Sequence, residues 1–234
     1  MLGEDEAEHI DTDAAPAEAY LGILGVTGLT AYAGLTAVGE MKEGDVVFIS
    51  GAAGAVGSAA GQIAKQLGAA KVIGSAGSAE KIEYVKGLGF NEAFNYKDGD
   101  VTGQLAKAAP EGIDVYFDNV GGDHLEAAID NANTLARIAM CGAIAQYNDT
   151  EPAPGPSNLG LSIGKCLTLR GFVVGKYSHL AGEFQEKIAP LVLDGSITYE
   201  TTVREGIDNM PDAFLELPEG SNTGKMIVSL QEEK

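Results

Sequence analysis

The chain has 234 residues, of which 45% are hydrophobic and 21% charged, which predicts a folded protein of one large domain or slightly more. Its formal net charge of −19 argues against nucleic acid and anionic membrane surfaces as partners. The same composition excludes intrinsic disorder for the chain as a whole, and no apolar stretch is long enough for a transmembrane helix.

Residues 1–19 are acidic and contain neither Lys nor Arg, so we expect a solvated leader there rather than a basic secretion signal. The protein is therefore expected in the cytoplasm. Its many acids and few lysines resemble the composition of proteins from high-salt cytoplasms, and they predict a halophilic-like acidic surface. Glycines then interrupt the stretch 26–38, which suggests close packing against a ligand or another backbone.

From residue 45 the sequence alternates between strand and helix patterns. Strands are predicted at 45–50, 71–75, 93–95, 114–117, 136–141 and 168–174, and helices at 54–67, 79–88, 101–109, 122–132 and 181–193. This alternation predicts an α/β fold, a Rossmann doubly wound parallel sheet, whose ligand lies beyond the carboxyl ends of the strands. The tail lacks the strand–helix–strand rhythm. Strands at 197–203 and 225–230, with a short helix at 211–217, predict part of a second, mixed sheet.

A glycine-rich turn at 51–57 follows the first strand of this series and opens a helix. Gly54 and Gly57 permit a tight turn whose backbone can approach the pyrophosphate of a dinucleotide. Ala52 replaces the usual first glycine, so a strict G-x-G-x-x-G is absent. The turn also lacks the Gly-Lys-Ser/Thr of a P-loop, and no tyrosine is followed by Lys four residues later, as short-chain dehydrogenases require.

The end of the second strand predicts which nucleotide binds. Residues 74–78 read Gly-Ser-Ala-Gly-Ser, without the carboxylate that usually holds the ribose 2′-OH of NAD. Lys81 lies one turn into the next helix, where its ammonium can reach a 2′-phosphate. We therefore expect NADP(H) rather than NAD(H), and the missing acid also argues against S-adenosylmethionine.

The chain contains two cysteines, Cys141 and Cys166, and neither lies in a metal-binding pattern with histidine. We expect both to be small, buried and reduced side chains. No metal site is predicted.

Five motifs occur together in one order: 28–32 (GLTAY), 52–57 (AAGAVG), 117–122 (FDNVGG), 141–148 (CGAIAQYN) and 222–225 (NTGK). This set closely resembles the zinc-independent medium-chain dehydrogenases/reductases of the prostaglandin reductase, leukotriene B4 12-hydroxydehydrogenase and curcumin reductase branch. The resemblance covers roughly residues 20 to 230.

The resemblance implies NADP(H) as cofactor and assigns contacts to it. The adenosine and pyrophosphate contacts would be Gly54, Ala55, Val56, Gly57, Lys81 and Tyr96, with Asn119 near a ribose. The contacts on the nicotinamide side would be Cys141, Gly142, Ala143, Ile144, Tyr147, Phe172, Val173 and Val174, with Asn222 reaching back from the tail.

The resemblance also implies an activity, the NADPH-dependent reduction of the C=C bond of α,β-unsaturated ketones and aldehydes, which are small molecules. Tyr147 would be the catalytic proton donor or the group that stabilises the enolate, because a phenol keeps its proton at neutral pH. Two alternatives stay open: a non-catalytic NADP(H)-binding module or fragment, and a quinone reductase.

Such enzymes carry a catalytic domain ahead of the nucleotide domain, and this chain is expected to lack most of it. We expect an acidic leader at 1–19, an NADP-binding Rossmann domain at 20–195, and a C-terminal return segment of a GroES-like domain at 196–234. Apolar surface left where that domain docks would favour a homo-oligomer, expected to be a dimer.

Overall fold

The computed structural model describes residues 10–151 and 153–230. The first nine residues of the predicted leader lie outside the described residues. No helix in the described part of the chain has the length and apolar character needed to cross a membrane.

The described chain alternates between helices and strands over most of its length. The strands are β1 (Val46–Ile49), β2 (Lys71–Ala76), β3 (Glu92–Asn95), β4 (Ile113–Asp118), β5 (Ala132–Met140), β6 (Thr168–Gly171), β7 (Thr201–Glu205) and β8 (Lys225–Ser229). The helices are α1 (Ala17–Leu21), α2 (Val26–Ala33), α3 (Ala55–Gln66), α4 (Ala79–Gly87), α5 (Val101–Ala108), α6 (Gly122–Asn131), α7 (Leu161–Gly164), α8 (Ala181–Lys187), α9 (Ala189–Leu193) and α10 (Met210–Glu219).

Six parallel strands form the main sheet in the order β3-β2-β1-β4-β5-β6. Apolar side chains alternate between its two faces, so each face has its own buried core. Ile49 and Phe117 belong to the core beneath α3, whereas Phe48 and Tyr116 belong to the core beneath α5 and α6. The predicted doubly wound parallel sheet is confirmed, and its switch point lies between β1 and β4, where the two halves of the sheet diverge.

Gly28 and Gly34, in the stretch 26–38, do pack closely, but against aromatic side chains as well as against backbone. A Cβ built on Gly28 would lie 2.8 Å from the Phe184 ring, and one on Gly34 would lie 2.4 Å from the Phe117 ring. The segment is nevertheless helical, since α2 continues into a π-helical turn at Gly34–Val38. These aromatic contacts favour the helix despite the cost of glycine in it.

Three expectations about elements are wrong. The helix predicted at 181–193 is divided into α8 and α9, because Pro190 at the start of α9 lacks the N–H that a continuous helix needs. The strand predicted at 197–203 begins later, as β7. The tail was expected to lack a strand–helix–strand unit, but it contains one: β7 and β8 pair in parallel, and α10 is the crossover between them.

A backbone bridge joins the β7–β8 unit to the main domain. Gly224 N donates to Ala53 O at 2.9 Å, and Gly54 and Gly224 form an isolated parallel bridge. This unit exposes large apolar side chains, among them Phe214 (71% exposed) and Leu230 (68%). Such exposure is expected for a C-terminal segment that packs against a second domain. The predicted domain boundaries at residues 19/20 and 195/196 stay predictions.

Candidate nucleotide-binding cleft

A broad cleft opens at the carboxyl ends of β1, β2, β3 and β4, where the switch point predicts a ligand. Its volume is about 1710 Å³, larger than the roughly 300–1,000 Å³ of an ordinary small-ligand pocket. The loop after β5 and one side of α10 complete its walls. The cleft therefore has enough volume for a dinucleotide.

The glycine turn between β1 and α3 forms one wall of the cleft. Gly51 has a φ of +61°, and Gly54 N donates to Gly51 O at 3.0 Å, which closes the turn. Gly57 packs against the same turn, since a Cβ built there would lie only 2.3 Å from Gly51 O. Gly54 is the N-cap of α3 and has no side chain, so the helix N-terminus stays open to an anion. These features fit a pyrophosphate.

The end of β2 forms the adjoining wall, and none of residues 74–78 has a carboxylate side chain. The Ser78 Oγ caps α4 by accepting a hydrogen bond from Lys81 N at 3.2 Å. The Lys81 ammonium lines the cleft and donates to Gly220 O at 2.6 Å. Burial lowers the pKa of Lys81, the charge of Lys97 lowers it further, and Glu80 opposes both.

A buried hydrogen-bond network holds the turn after β4. The Asp118 carboxylate oxygen Oδ1 accepts bonds from Tyr116 Oη (2.7 Å), Val120 N (2.9 Å) and Gly121 N (2.7 Å). Burial raises the pKa of Tyr116 well above its ordinary value and the Asp118 charge adds to this, so the phenol remains a donor to the carboxylate.

The same network fixes the orientation of Asn119. Asn119 N donates to Ser50 Oγ at 3.0 Å, and its side-chain amide nitrogen donates to Ser50 O at 2.8 Å. The bond to Ser50 O thus holds the amide of Asn119, which lines the cleft, to the residue after β1.

The loop after β5 starts on the same turn, since Cys141 N and Gly142 N both donate to Asp118 O, at 2.8 and 3.0 Å. Tyr147 lies at the open side of the cleft and is 66% exposed, and its Oη accepts a bond from Ala143 N at 3.3 Å. Burial, helped by the Asp118 charge, raises the pKa of the Cys141 thiol to about 11, so this cysteine is uncharged at neutral pH.

The structure brings most of the predicted cofactor residues together along one cleft. Those that line it are Gly54, Ala55, Val56, Gly57, Lys81, Tyr96, Asn119, Ile144, Tyr147 and Asn222. Six lie outside its lining: Cys141, Gly142, Ala143, Phe172, Val173 and Val174. Phe172 instead packs edge-on against Phe117, with ring centroids 6.2 Å apart, and Val173 is 74% exposed.

Sequence reasoning missed three contributors to the cleft. Lys97 and His124 line it, and α10 supplies apolar side chains such as Phe214. His124 is buried, with its ring edge-on to Tyr96, and its Nε2 has no hydrogen-bond partner among residues 10–151 and 153–230. The sequence offered one available signal, because Lys97 directly follows Tyr96, which the resemblance had already assigned to the adenosine end.

The two cysteines differ from the expectation in one respect. Cys141 is half-buried, as a small packed thiol should be, but Cys166 is exposed and has a φ of +52°. Its place directly after α7, in a turn at the surface, accounts for this exposure. Across residues 10–151 and 153–230, no group of three or more His, Cys, Asp and Glu side chains is placed to hold a metal ion.

Comparison with known proteins matches the same region. The model of the zinc-binding dehydrogenase family matches residues 55–193. The YfmJ protein of Bacillus subtilis (strain 168) is 48% identical over 235 residues, covering 99% of this chain and 69% of the relative. The 2-alkenal reductase (NADP(+)-dependent) of Nicotiana tabacum is 44% identical, covering 93% of this chain and 64% of the relative.

A solved structure agrees with these matches. CurA from Vibrio vulnificus, in complex with NADPH, superposes with a TM-score of 0.87 at 41% identity, over 94% of this chain and 67% of that one. This chain thus spans about two thirds of the length of the relatives it matches. It belongs to the zinc-binding dehydrogenase family, that is, to the medium-chain dehydrogenases/reductases.

Proposed function

We propose that this chain binds NADP(H) and reduces the C=C bond of small α,β-unsaturated ketones and aldehydes. One observation carries the proposal: the glycine turn, the acid-free end of β2 with Lys81, and the Tyr147 hydroxyl all line one cleft. The name of the tobacco relative, a 2-alkenal reductase, supports this chemistry, and the NADPH complex of CurA supports the cofactor.

Each wall of the cleft has a proposed role toward the cofactor. The backbone of Gly54, Ala55, Val56 and Gly57 would hold the pyrophosphate, and Lys81 the 2′-phosphate. Tyr96 would lie at the adenosine, Asn119 at a ribose, and Asn222 would reach the cofactor from the tail. We retain Cys141 to Ile144 and Phe172 to Val174 as proposed backbone contacts of the nicotinamide.

The proposed chemistry needs a hydride at the β-carbon and a proton at the α-carbon of the substrate. NADPH, when bound, supplies the hydride. Tyr147 is the proposed proton donor, because its Oη accepts the bond from Ala143 N and so keeps its own hydrogen available for the substrate. The same hydroxyl would stabilise negative charge on the substrate oxygen.

The decisive test is turnover by the whole 234-residue chain, followed as the loss of NADPH absorbance with a small enone. Tyr147→Phe should keep NADPH affinity and lower kcat by about 10²-fold or more, the usual contribution of a general acid. Tyr20→Phe is the matched control, since it removes a hydroxyl that binds Asp11 O, away from the cleft. Equal kcat values for wild type and Tyr147→Phe would contradict the role of Tyr147.

A second function stays open, that of an NADP(H)-binding module without catalysis. The exposure of Tyr147 favours it, because a reacting group open to water gains less from electrostatic stabilisation. Tight NADPH binding without NADPH consumption would select this alternative. Consumption with a quinone but with no enone would select the quinone reductase.

We also propose a homodimer and a cytoplasmic location. Leu159, Ile163 and Val173, near the outer strand β6, are large exposed apolar side chains that a second copy would cover. Free thiols, one of them exposed, suit a reducing compartment. Light scattering on the purified chain tests the dimer, and a monomer mass at micromolar concentration would exclude it.

A further inference from the structure

The adenosine end of the cleft holds two ammonium groups, although sequence reasoning assigned only Lys81 to it. Lys97 lines the same wall, beside Gly77 and Tyr96. Lys97 lies in a single 3-10 turn, Tyr96–Asp98, that follows β3, whereas Lys81 lies on α4, so the two cations come from different elements and lie near the end of β2.

The position of the Lys97 side chain is defined by contacts. A Cβ built on Gly77 would lie 3.0 Å from Tyr96 Oη and 3.2 Å from Lys97 Cε, so both side chains lie against the bare backbone that ends β2. The Lys97 Nζ lies 5.8 Å from the centroid of the Tyr96 ring, within the range of a cation–π interaction. The phenol ring therefore keeps this ammonium beside the position predicted for the ribose.

The two ammonium groups at this wall differ in their partners. Among the described residues, no ion pair and no side-chain hydrogen bond engages Lys97 Nζ, whereas Lys81 Nζ binds Gly220 O. The repulsion between the two lysines outweighs the attraction of Glu80, and after burial it is the second cause of the lowered pKa of Lys81. Neither ammonium forms an ion pair within the described part of the chain, although carboxylates such as Asp100 and Glu219 also line the cleft, and two neighbouring cations without ion-pair partners indicate a place for an anion from outside.

We propose that Lys97 is a second specificity residue, whose ammonium binds the 2′-phosphate of NADP(H) together with Lys81 and so sets the preference over NAD(H). The inference rests on the proposed function, since it concerns the same cofactor. A phosphate monoester carries about two negative charges at neutral pH, which two ammonium groups match. Binding would thus remove a repulsion as well as form a new ion pair.

The test compares the affinities of the whole chain for NADPH and for NADH, measured by titration calorimetry. Lys97→Ala should weaken NADPH binding by about fivefold, the value of a partly exposed ion pair, and leave NADH binding unchanged. Lys97→Arg should keep the preference, because guanidinium also binds phosphate. Lys107→Ala is the control, since it removes the same charge from an exposed position on α5 that does not line the cleft.

The outcomes separate this inference from the proposed function. If wild type prefers NADPH and Lys97→Ala keeps the full preference, the role of Lys97 is overturned and the proposed function stands. An equal loss of NADPH and NADH affinity in Lys97→Ala overturns it as well, because the residue would then act on the shared part of the nucleotide. If wild type binds neither nucleotide, both proposals fail.

Discussion

Replacing Gly57 by Ala tests whether the glycine turn must keep its present shape. The added Cβ would lie 2.3 Å from Gly51 O and 2.9 Å from Ala52 Cα, whereas ordinary contact begins at 3.4 Å. The turn must therefore move by about 1 Å, and the neighbours are backbone atoms that cannot rotate away. Overpacking of this kind costs about 1–3 kcal/mol, which the better helix propensity of Ala, about 1 kcal/mol, offsets only in part.

The matched control is Gly87→Ala, in the last turn of α4, where an added Cβ meets no atom within 4 Å. This change should raise the free energy of unfolding by about 0.5–1 kcal/mol, and Gly57→Ala should lower it. For a chain of this size, each kcal/mol shifts Tm by about 2–4 °C, which a thermal melt resolves.

The two variants should also differ in nucleotide binding. Gly57→Ala moves the N–H groups that would hold the pyrophosphate, so its Kd for NADPH should rise at least about tenfold, equivalent to about 1.4 kcal/mol. Gly87→Ala should bind as wild type does. If Gly57→Ala has a lower Tm but binds NADPH with unchanged affinity, the backbone of this turn does not hold the pyrophosphate.

Three further measurements follow from the structure. Cys166 should react with a thiol reagent at pH 8, whereas Cys141 should not, because burial raises the pKa of its thiol to about 11. Two reactive thiols per chain in the native protein would contradict the packing of Cys141. Burial lowers the pKa of His124 in the folded state, so below the ordinary histidine value the unfolded chain binds more protons. Wild type should therefore lose stability relative to His124→Phe as pH falls from 8 to 5.5, and a constant difference in Tm would exclude this. The net charge of −19 predicts that Tm rises between dilute buffer and 1 M salt, and an unchanged Tm would count against a halophilic-like surface.

The main sheet could be predicted from sequence because its signals are local. Each strand of the series is a short apolar run followed by a helical pattern, and β1 to β6 were found within a few residues of their observed bounds. The division between α8 and α9 could also have been found, since Pro190 stands in the sequence. The parallel pairing of β7 with β8 could have been found as well, because the helix predicted between the two strands, with its flanking residues, is long enough to serve as a crossover.

The candidate site was predictable where a motif carried it. Gly54, Lys81 and Asn119 follow the ends of adjacent strands, and parallel strands bring those ends to one edge of the sheet. His124 and Lys97 were missed because their place in the cleft depends on the packing of Tyr96, a tertiary contact with no periodic signature. The lysine-to-carbonyl bond between Lys81 and Gly220 joins residues 139 apart and likewise has no local signal.

The backbone bridge between Gly224 and the glycine turn affects the order in which parts of the protein can fold during synthesis. During synthesis, β1 and the turn after it emerge long before residue 224, yet Ala53 O has its observed donor only once Gly224 has left the ribosome. Nascent domains generally fold as units from the N-terminus. The main sheet can therefore form before the glycine turn gains its bond from Gly224. A chain that ends before Gly224 would therefore lack this donor to the glycine turn.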